Sequence, residues 1–186
     1  MSQRYRISAI GLVALLLVAA ASAPGPVSPD AATVVLARSA RDSMSAAWTR
    51  YNEHWDEQSD RNTMERMLGT LGPTQREFLG CLRGRIARDT ISIDGWVPAA
   101  DLKQLPMAVA GNCDGVAGLV GTWHTHPYRP DLQNLPVKER RLSARDLETF
   151  AGSEDRVTLM MWDVDSVDAA VKRTEGIVHP ARVVVR

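Results

Sequence analysis

The densest chemical signal in the sequence is a pair of histidines separated by one residue, His124 and His126 in the run HTHP. The preceding residues, GVAGLVGTW, are apolar and punctuated by glycine, which is typical of a buried strand that ends at a site. Because side chains alternate along a strand, both imidazoles would point to the same face. Two neutral imidazoles at a strand end can share a metal, and zinc suits them.

A third metal ligand is expected on the helix that Ser143 opens. Asp146 follows Ser143 by three residues, so both groups would lie on one face near the helix N-terminus. The helix dipole favours a carboxylate there. The pair also matches a plain capping box, which is a purely structural alternative. Two histidines and one aspartate would leave one position of a tetrahedral zinc for water, the pattern of a catalytic site.

These runs resemble a known family. GTWHTHP followed by LSARDL is similar to the JAMM motif of the JAB/MPN zinc metalloproteases, and Glu77 in EFLGCLRG stands where that family has its upstream glutamate. The resemblance extends from about residue 73 to the C-terminal strands. It implies an α/β fold with a mixed β-sheet flanked by helices. It also implies Zn2+ bound by His124, His126 and Asp146, with Glu77 and Ser143 as catalytic residues.

The roles of the two catalytic residues follow from the same resemblance. Glu77 would act as general base on a zinc-activated water, and Ser143 would hydrogen-bond the oxyanion or hold the water. The segment between Pro127 and Ser143 is longer than is usual in the family, so residues 128–141 are interpreted as an enlarged loop that starts at the site. Since long surface insertions cost little stability, we expect this loop to influence substrate choice more than metal binding.

The elements that would position these residues alternate between helices and strands. Periodicity predicts an amphipathic helix over residues 31–57 and a short helix over residues 63–71. EFLGCLRGRI and TISIDGWVP indicate a strand, a turn and a strand, whereas residues 99–115 have no clear period and are predicted to be mainly loop. RVTLMMWDV, VDAAVKRTEGIV and ARVVVR indicate further strands. The pattern is typical of an α/β or α+β protein.

The N-terminus has the layout of a secretory signal peptide. Arg4 and Arg6 precede an uncharged apolar run, small residues follow, and cleavage after Ala21 is favourable. The alternative is an uncleaved anchor that attaches the protein to a membrane through residues 7–23, because the run approaches the length of a membrane span. Both interpretations predict an extracytoplasmic location, periplasmic or secreted.

The chain is therefore divided into three parts. Residues 1–23 are predicted to be a signal peptide or anchor, residues 24–71 a linker with an N-terminal helical extension, and residues 72–186 a JAMM/MPN-like catalytic domain. The length of 186 residues allows one such domain with a tail.

Charge and cysteine content exclude some classes of protein. With 22 basic and 22 acidic residues the net charge is zero, so there is no overall positive field to bind a nucleic acid. The two cysteines are too few for a disulfide-dense scaffold. In an oxidising compartment Cys81 and Cys113 would form one disulfide, and the alternative is two buried thiols.

The sequence thus predicts an exported zinc-dependent metallopeptidase or isopeptidase that acts on a peptide or protein amide. One alternative is a catalytically inactive binding or scaffold module on the same fold. Another is a thiol hydrolase with Cys81 as nucleophile, which lacks a local nucleophile signature. Trp123, directly before the first histidine, is expected to pack behind the metal site.

Overall fold

Strands dominate the part of the chain that the structure describes. The structure is a computed structural model, and it describes residues 32–52, 77–88, 90–105, 108–130, 136–173 and 176–186. Its two helices are α1 (Arg38–Asn52) and α2 (Ala144–Gly152). The strands are β1 (Ala32–Leu36), β2 (Leu79–Ala87), β3 (Thr90–Pro98), β4 (Ala100–Leu105), β5 (Ala108–Asn112), β6 (Leu119–Thr125), β7 (Arg129–Pro130), β8 (Pro136–Val137), β9 (Val157–Asp163), β10 (Ser166–Lys172) and β11 (Val178–Val185).

Seven of these strands close into a barrel in the order β1-β11-β10-β9-β6-β2-β3. The prediction of an α/β fold with a JAB/MPN-like mixed sheet flanked by helices is therefore wrong. Only two helices lie within the described residues, and the sheet closes on itself. The expectation failed because it placed residues 32–36 in a helix, whereas they form the strand that closes the barrel. β1 pairs in parallel with both β3 and β11, a contact between distant segments that no local pattern reveals.

The first strand also corrects the helix predicted over residues 31–57. Ala32–Leu36 is extended, and the helix begins only at Arg38. In β1 the buried and partly exposed residues alternate, and Val34 and Leu36 are fully buried. The segment is rich in β-branched residues, which favour strands. The segment predicted to be an N-terminal extension thus contributes both a barrel strand and a helix that packs against β3 and β9. The short helix predicted over residues 63–71 lies outside the described residues.

A second correction concerns residues 99–115, which were predicted to be mainly loop. They contain the antiparallel pair β4 and β5, with Leu105 opposite Ala108. This ribbon pairs only with itself within the described residues. Much of β5 is solvent-exposed, so its residues need no alternation of polar and apolar side chains, and periodicity gives no signal. Residues 128–141, predicted to be loop, include the very short strands β7 and β8.

The strand assignments around the histidine motif are confirmed. β2 and β3 form the predicted antiparallel pair, β6 carries the motif, and β9 is buried on both faces. Val157, Leu159 and Met161 of β9 belong to the main core, whereas Met160 joins a second cluster with Phe150 of α2. A strand that is buried on both faces appears in the sequence as a continuous apolar run, which explains why VTLMM was recognisable.

Candidate metal centre

β6, which carries His124 and ends directly before His126, lies between β2 and β9. β6 is antiparallel to β2, with His124 opposite Leu79, and parallel to β9, with His124 opposite Met160. Beyond the last paired residues, Thr125 N donates to Phe78 O at 3.0 Å and His126 N donates to Met161 O at 2.8 Å. The backbone at the end of β6 is therefore held on both sides, which fixes the positions of the two imidazoles.

Behind this strand end lies a packed aromatic cluster. Trp123 is fully buried, and its ring centroid lies 4.9 Å from that of Trp96 and 5.4 Å from that of Phe78. Because side chains alternate along β6, Trp123 points away from the face that carries His124. The structure gives Trp123 the packing position that the sequence analysis expected for it. Gly80 makes room for it, since a Cβ there would lie 2.2 Å from Trp123 Nε1.

The two histidines and Asp146 converge on one point. His124 Nε2 lies 3.1 Å from His126 Nε2 and 3.5 Å from Asp146 Oδ1, and His126 Nε2 lies 3.3 Å from Asp146 Oδ2. His124 and His126 are only 7% and 3% exposed, so these nitrogen and oxygen atoms are largely shielded from solvent. Two donors bound at about 2.0–2.1 Å to a tetrahedral zinc lie about 3.3–3.4 Å apart. The separation of the two Nε2 atoms is close to that value, and each imidazole has one of the two Asp146 oxygens at a similar distance.

The first turn of α2 supplies the carboxylate. Ser143 is the N-cap: its Oγ accepts from Asp146 N at 3.1 Å, and Asp146 Oδ2 accepts from Ser143 N at 2.7 Å. The capping box is therefore present, as the structural interpretation of this pair required. It does not exclude ligation, because a carboxylate has about four lone-pair sites and both oxygens also face the histidines. The cap holds the carboxylate with both oxygens close to the two histidines.

The electrostatics of Asp146 favour its charged form. Burial raises the pKa of the carboxyl, but hydrogen bonds with His124 and His126 and the hydrogen bond from Ser143 act in the opposite direction and prevail. The net result is a pKa well below the ordinary value of 3.8. Asp146 is thus a carboxylate at neutral pH, the state in which it can bind a cation.

Glu77, the expected general base, lies two residues before the start of β2 and is 5% exposed. Continuing the register of β2 with β6 places Glu77 opposite His126, and opposite residues of an antiparallel pair project to the same face. The backbone is held by Gln104 Nε2 of β4, which donates to Glu77 O at 3.0 Å. Sequence reasoning missed Gln104, because β4 itself was predicted to be loop.

A disulfide joins the β4–β5 ribbon to the barrel. Cys81 of β2 and Cys113, which directly follows β5, are bonded with Cα atoms 5.6 Å apart. With both cysteines paired, Cys81 is not available as the nucleophile of a thiol hydrolase. The bond lies on the strand that Glu77 precedes, so it also helps to hold the ribbon that carries Gln104.

One acidic residue near the site was not singled out in the sequence. Glu139 Oε2 lies 3.5 Å from His126 Nδ1, on the segment between β8 and α2. No pattern in the sequence indicated this contact, since Glu139 belongs to a polar loop and its position depends on the tertiary structure.

Comparisons with known proteins add little. No family model matches the chain, and no curated protein matches it. A similar solved structure is the solution structure of protein DSY2949 from Desulfitobacterium hafniense, with 16% sequence identity and a TM-score of 0.47. The match covers 82% of this chain and 92% of that one.

No helix within the described ranges is long and apolar enough to span a membrane. The predicted signal peptide or anchor in residues 1–23 lies outside those ranges.

Proposed function

We propose that the protein is an exported, zinc-dependent metallopeptidase or isopeptidase that hydrolyses an amide bond of a peptide or protein. The observation that carries this proposal is the convergence of His124, His126 and Asp146 at separations suited to a tetrahedral ion. Three protein ligands leave one position for water, the arrangement found in catalytic zinc sites. This site does not depend on the JAB/MPN fold, because chemistry resides in the arrangement of groups and not in the fold.

The proposed roles are those that the resemblance implies, and the positions of the residues support them. A zinc ion at this site would polarise the scissile carbonyl and lower the pKa of its bound water to about 7. Glu77, on the same face as His126, takes the proton of the water and passes it to the leaving amine. The Ser143 hydroxyl accepts from Asp146 N and so retains its own hydrogen, which it can donate to the oxyanion.

A second candidate function is a binding or scaffold module without catalytic activity. The capping box favours this alternative, because it gives Ser143 and Asp146 a structural role that requires no metal. Metal content separates the two candidates.

The test is the zinc content of the purified full chain after reconstitution, measured by elemental analysis. We expect about one zinc per chain, and little in Asp146→Asn, whose amide oxygen can keep the cap but is a poor ligand. The matched control is Asp114→Asn at an exposed position, which should retain zinc. Absence of zinc from the wild type would refute the metallopeptidase and favour the binding module.

The catalytic step is tested with Glu77→Gln in a screen against peptide and isopeptide libraries. We expect this variant to keep its zinc and to lose turnover, since the amide cannot accept the proton. Glu148→Gln, on an exposed position of α2, is the control that should remain active. An active Glu77→Gln protein would contradict the mechanism, and a zinc-loaded wild type that cleaves nothing would favour the module.

Export is proposed from residues 1–23 alone. N-terminal sequencing of the protein recovered outside the cytoplasm distinguishes cleavage after Ala21 from an uncleaved anchor, and purely cytoplasmic protein would refute export.

A further inference from the structure

The second ring nitrogen of His126 faces an acidic side chain that the proposed mechanism does not use. His126 Nδ1 lies 3.5 Å from Glu139 Oε2, and both atoms are buried. The remainder of the Glu139 side chain is partly exposed. This contact connects a buried histidine of the barrel to the segment that leads from β8 to α2.

The two nitrogens of this ring face different partners. Nε2 is directed at His124 and Asp146, whereas Nδ1 is directed at Glu139. Glu139 therefore lies on the side of the ring opposite to the three converging donors, where it is unable to act as a fourth ligand to the same ion. A neutral imidazole carries one proton, and an acceptor at Nδ1 favours the tautomer that leaves the Nε2 lone pair available to a metal.

The enlarged loop contacts the barrel through two residues that precede Glu139 in the chain. Lys138 Nζ pairs with Asp163 Oδ2 at the end of β9, and the Tyr128 hydroxyl donates to Asp163 Oδ1 at 3.1 Å. The Tyr128 ring also packs edge-on against Trp48 of α1, with centroids 5.5 Å apart. Tyr128 and Lys138, both within residues 128–141, thus meet at the Asp163 carboxylate, and Glu139 directly follows Lys138.

We propose that Glu139 is a positioning residue that accepts a hydrogen bond from His126 Nδ1 and so presents Nε2 to the zinc. This inference rests on the zinc centre of the proposed function. The 3.5 Å between His126 Nδ1 and Glu139 Oε2 is longer than a charge-assisted hydrogen bond, which measures about 2.7–2.9 Å. Hydrogen bonds at a site are often long in the empty protein and shorten when the site is occupied. The enlarged loop is then part of the support of the metal centre, and not only a determinant of substrate choice as its length suggested.

The test compares zinc affinity in the full chain, by competition with a chromophoric chelator. Loss of the outer carboxylate typically weakens metal binding about 10–100-fold, and we expect this for Glu139→Ala. Glu139→Gln, which keeps an acceptor oxygen, should fall between that variant and the wild type. Glu148→Ala is the control for loss of a nearby exposed carboxylate and should bind zinc as the wild type does.

A second readout separates positioning from a general loss of structure. Nitrogen-15 NMR of the His126 ring reports which nitrogen carries the proton, with and without Zn2+. Asp146 favours the Nε2–H form of the metal-free ring, and Glu139 favours the Nδ1–H form. We therefore expect a larger Nδ1–H population in the metal-free wild type than in metal-free Glu139→Ala. Wild-type zinc affinity and an unchanged ring spectrum in that variant would overturn the inference alone. A wild type that binds no zinc would overturn the proposed function together with it.

Discussion

Removal of the disulfide between Cys81 and Cys113 should destabilise the protein by about 4 kcal/mol. The bond closes a chain segment with a sequence separation of 32 residues. In the chain-entropy treatment a loop of this length restricts the unfolded chain by about 3.7 kcal/mol at 25 °C. The double variant Cys81→Ala, Cys113→Ala also removes a sulfur atom from a fully buried position at Cys81, which adds a smaller cavity cost.

The assay is guanidinium unfolding followed by tryptophan fluorescence, with the free energy extrapolated to water. The oxidised wild type is compared with the double variant and with the wild type kept reduced. The reduced protein lacks the bond but retains both sulfur atoms, so its loss of stability isolates the effect of the cross-link. A loss below about 1 kcal/mol in the reduced protein would refute the reasoning, because it would mean that the unfolded chain gains little freedom from the break.

The same variant has a predicted local effect. Cys113 directly follows β5, and the β4–β5 ribbon forms no backbone pairing with another described strand. Amide hydrogen exchange should therefore accelerate in the ribbon more than in β6 or β9, because local opening is easiest where few contacts hold a segment. Zinc affinity should remain close to that of the wild type, since the proposed ligands lie at the end of β6 and on α2. Equal acceleration in all strands would show that the bond stabilises the barrel as a whole.

Three further outcomes are expected. Gly121→Ala should destabilise the protein by at least about 1–3 kcal/mol in denaturant titrations, because a Cβ there would lie 1.8 Å from Val157 O. Gly152→Ala is the neutral control, since a Cβ at that position would meet no atom within 4 Å. Burial raises the pKa of Asp155, so the folded protein resists ionisation of this carboxyl. The wild type should therefore lose stability as the pH rises from 3.8 through the raised pKa, and Asp155→Asn should lose less over that window. Parallel pH profiles of the unfolding free energy in the two proteins would contradict this. Zn2+ at a hundredfold excess over its dissociation constant should stabilise the wild type by about 2.7 kcal/mol in calorimetry, reversibly with EDTA; the same gain in Asp146→Asn would place the ion elsewhere.

Much of the candidate site was predictable because its signals are local. The alternation of side chains along a strand is enough to place His124 and His126 on one face. The spacing of Ser143 and Asp146 is enough to predict a capped helix start, and the structure confirms that cap. The apolar run of β9 was recognisable since both faces of the strand are buried.

The tertiary structure alone decided how these pieces meet. The closure of the barrel depends on the pairing of Ala32–Leu36 with strands far along the chain, and the free energy of such pairing comes from burial against distant residues and not from local propensity. The distances among His124, His126 and Asp146 likewise arise from the packing of α2 near the end of β6. The contact between Glu139 and His126 depends on where the polar loop of residues 128–141 contacts the barrel. A loop leaves no periodic pattern in its sequence, so its position is determined only by the contacts that the folded barrel provides.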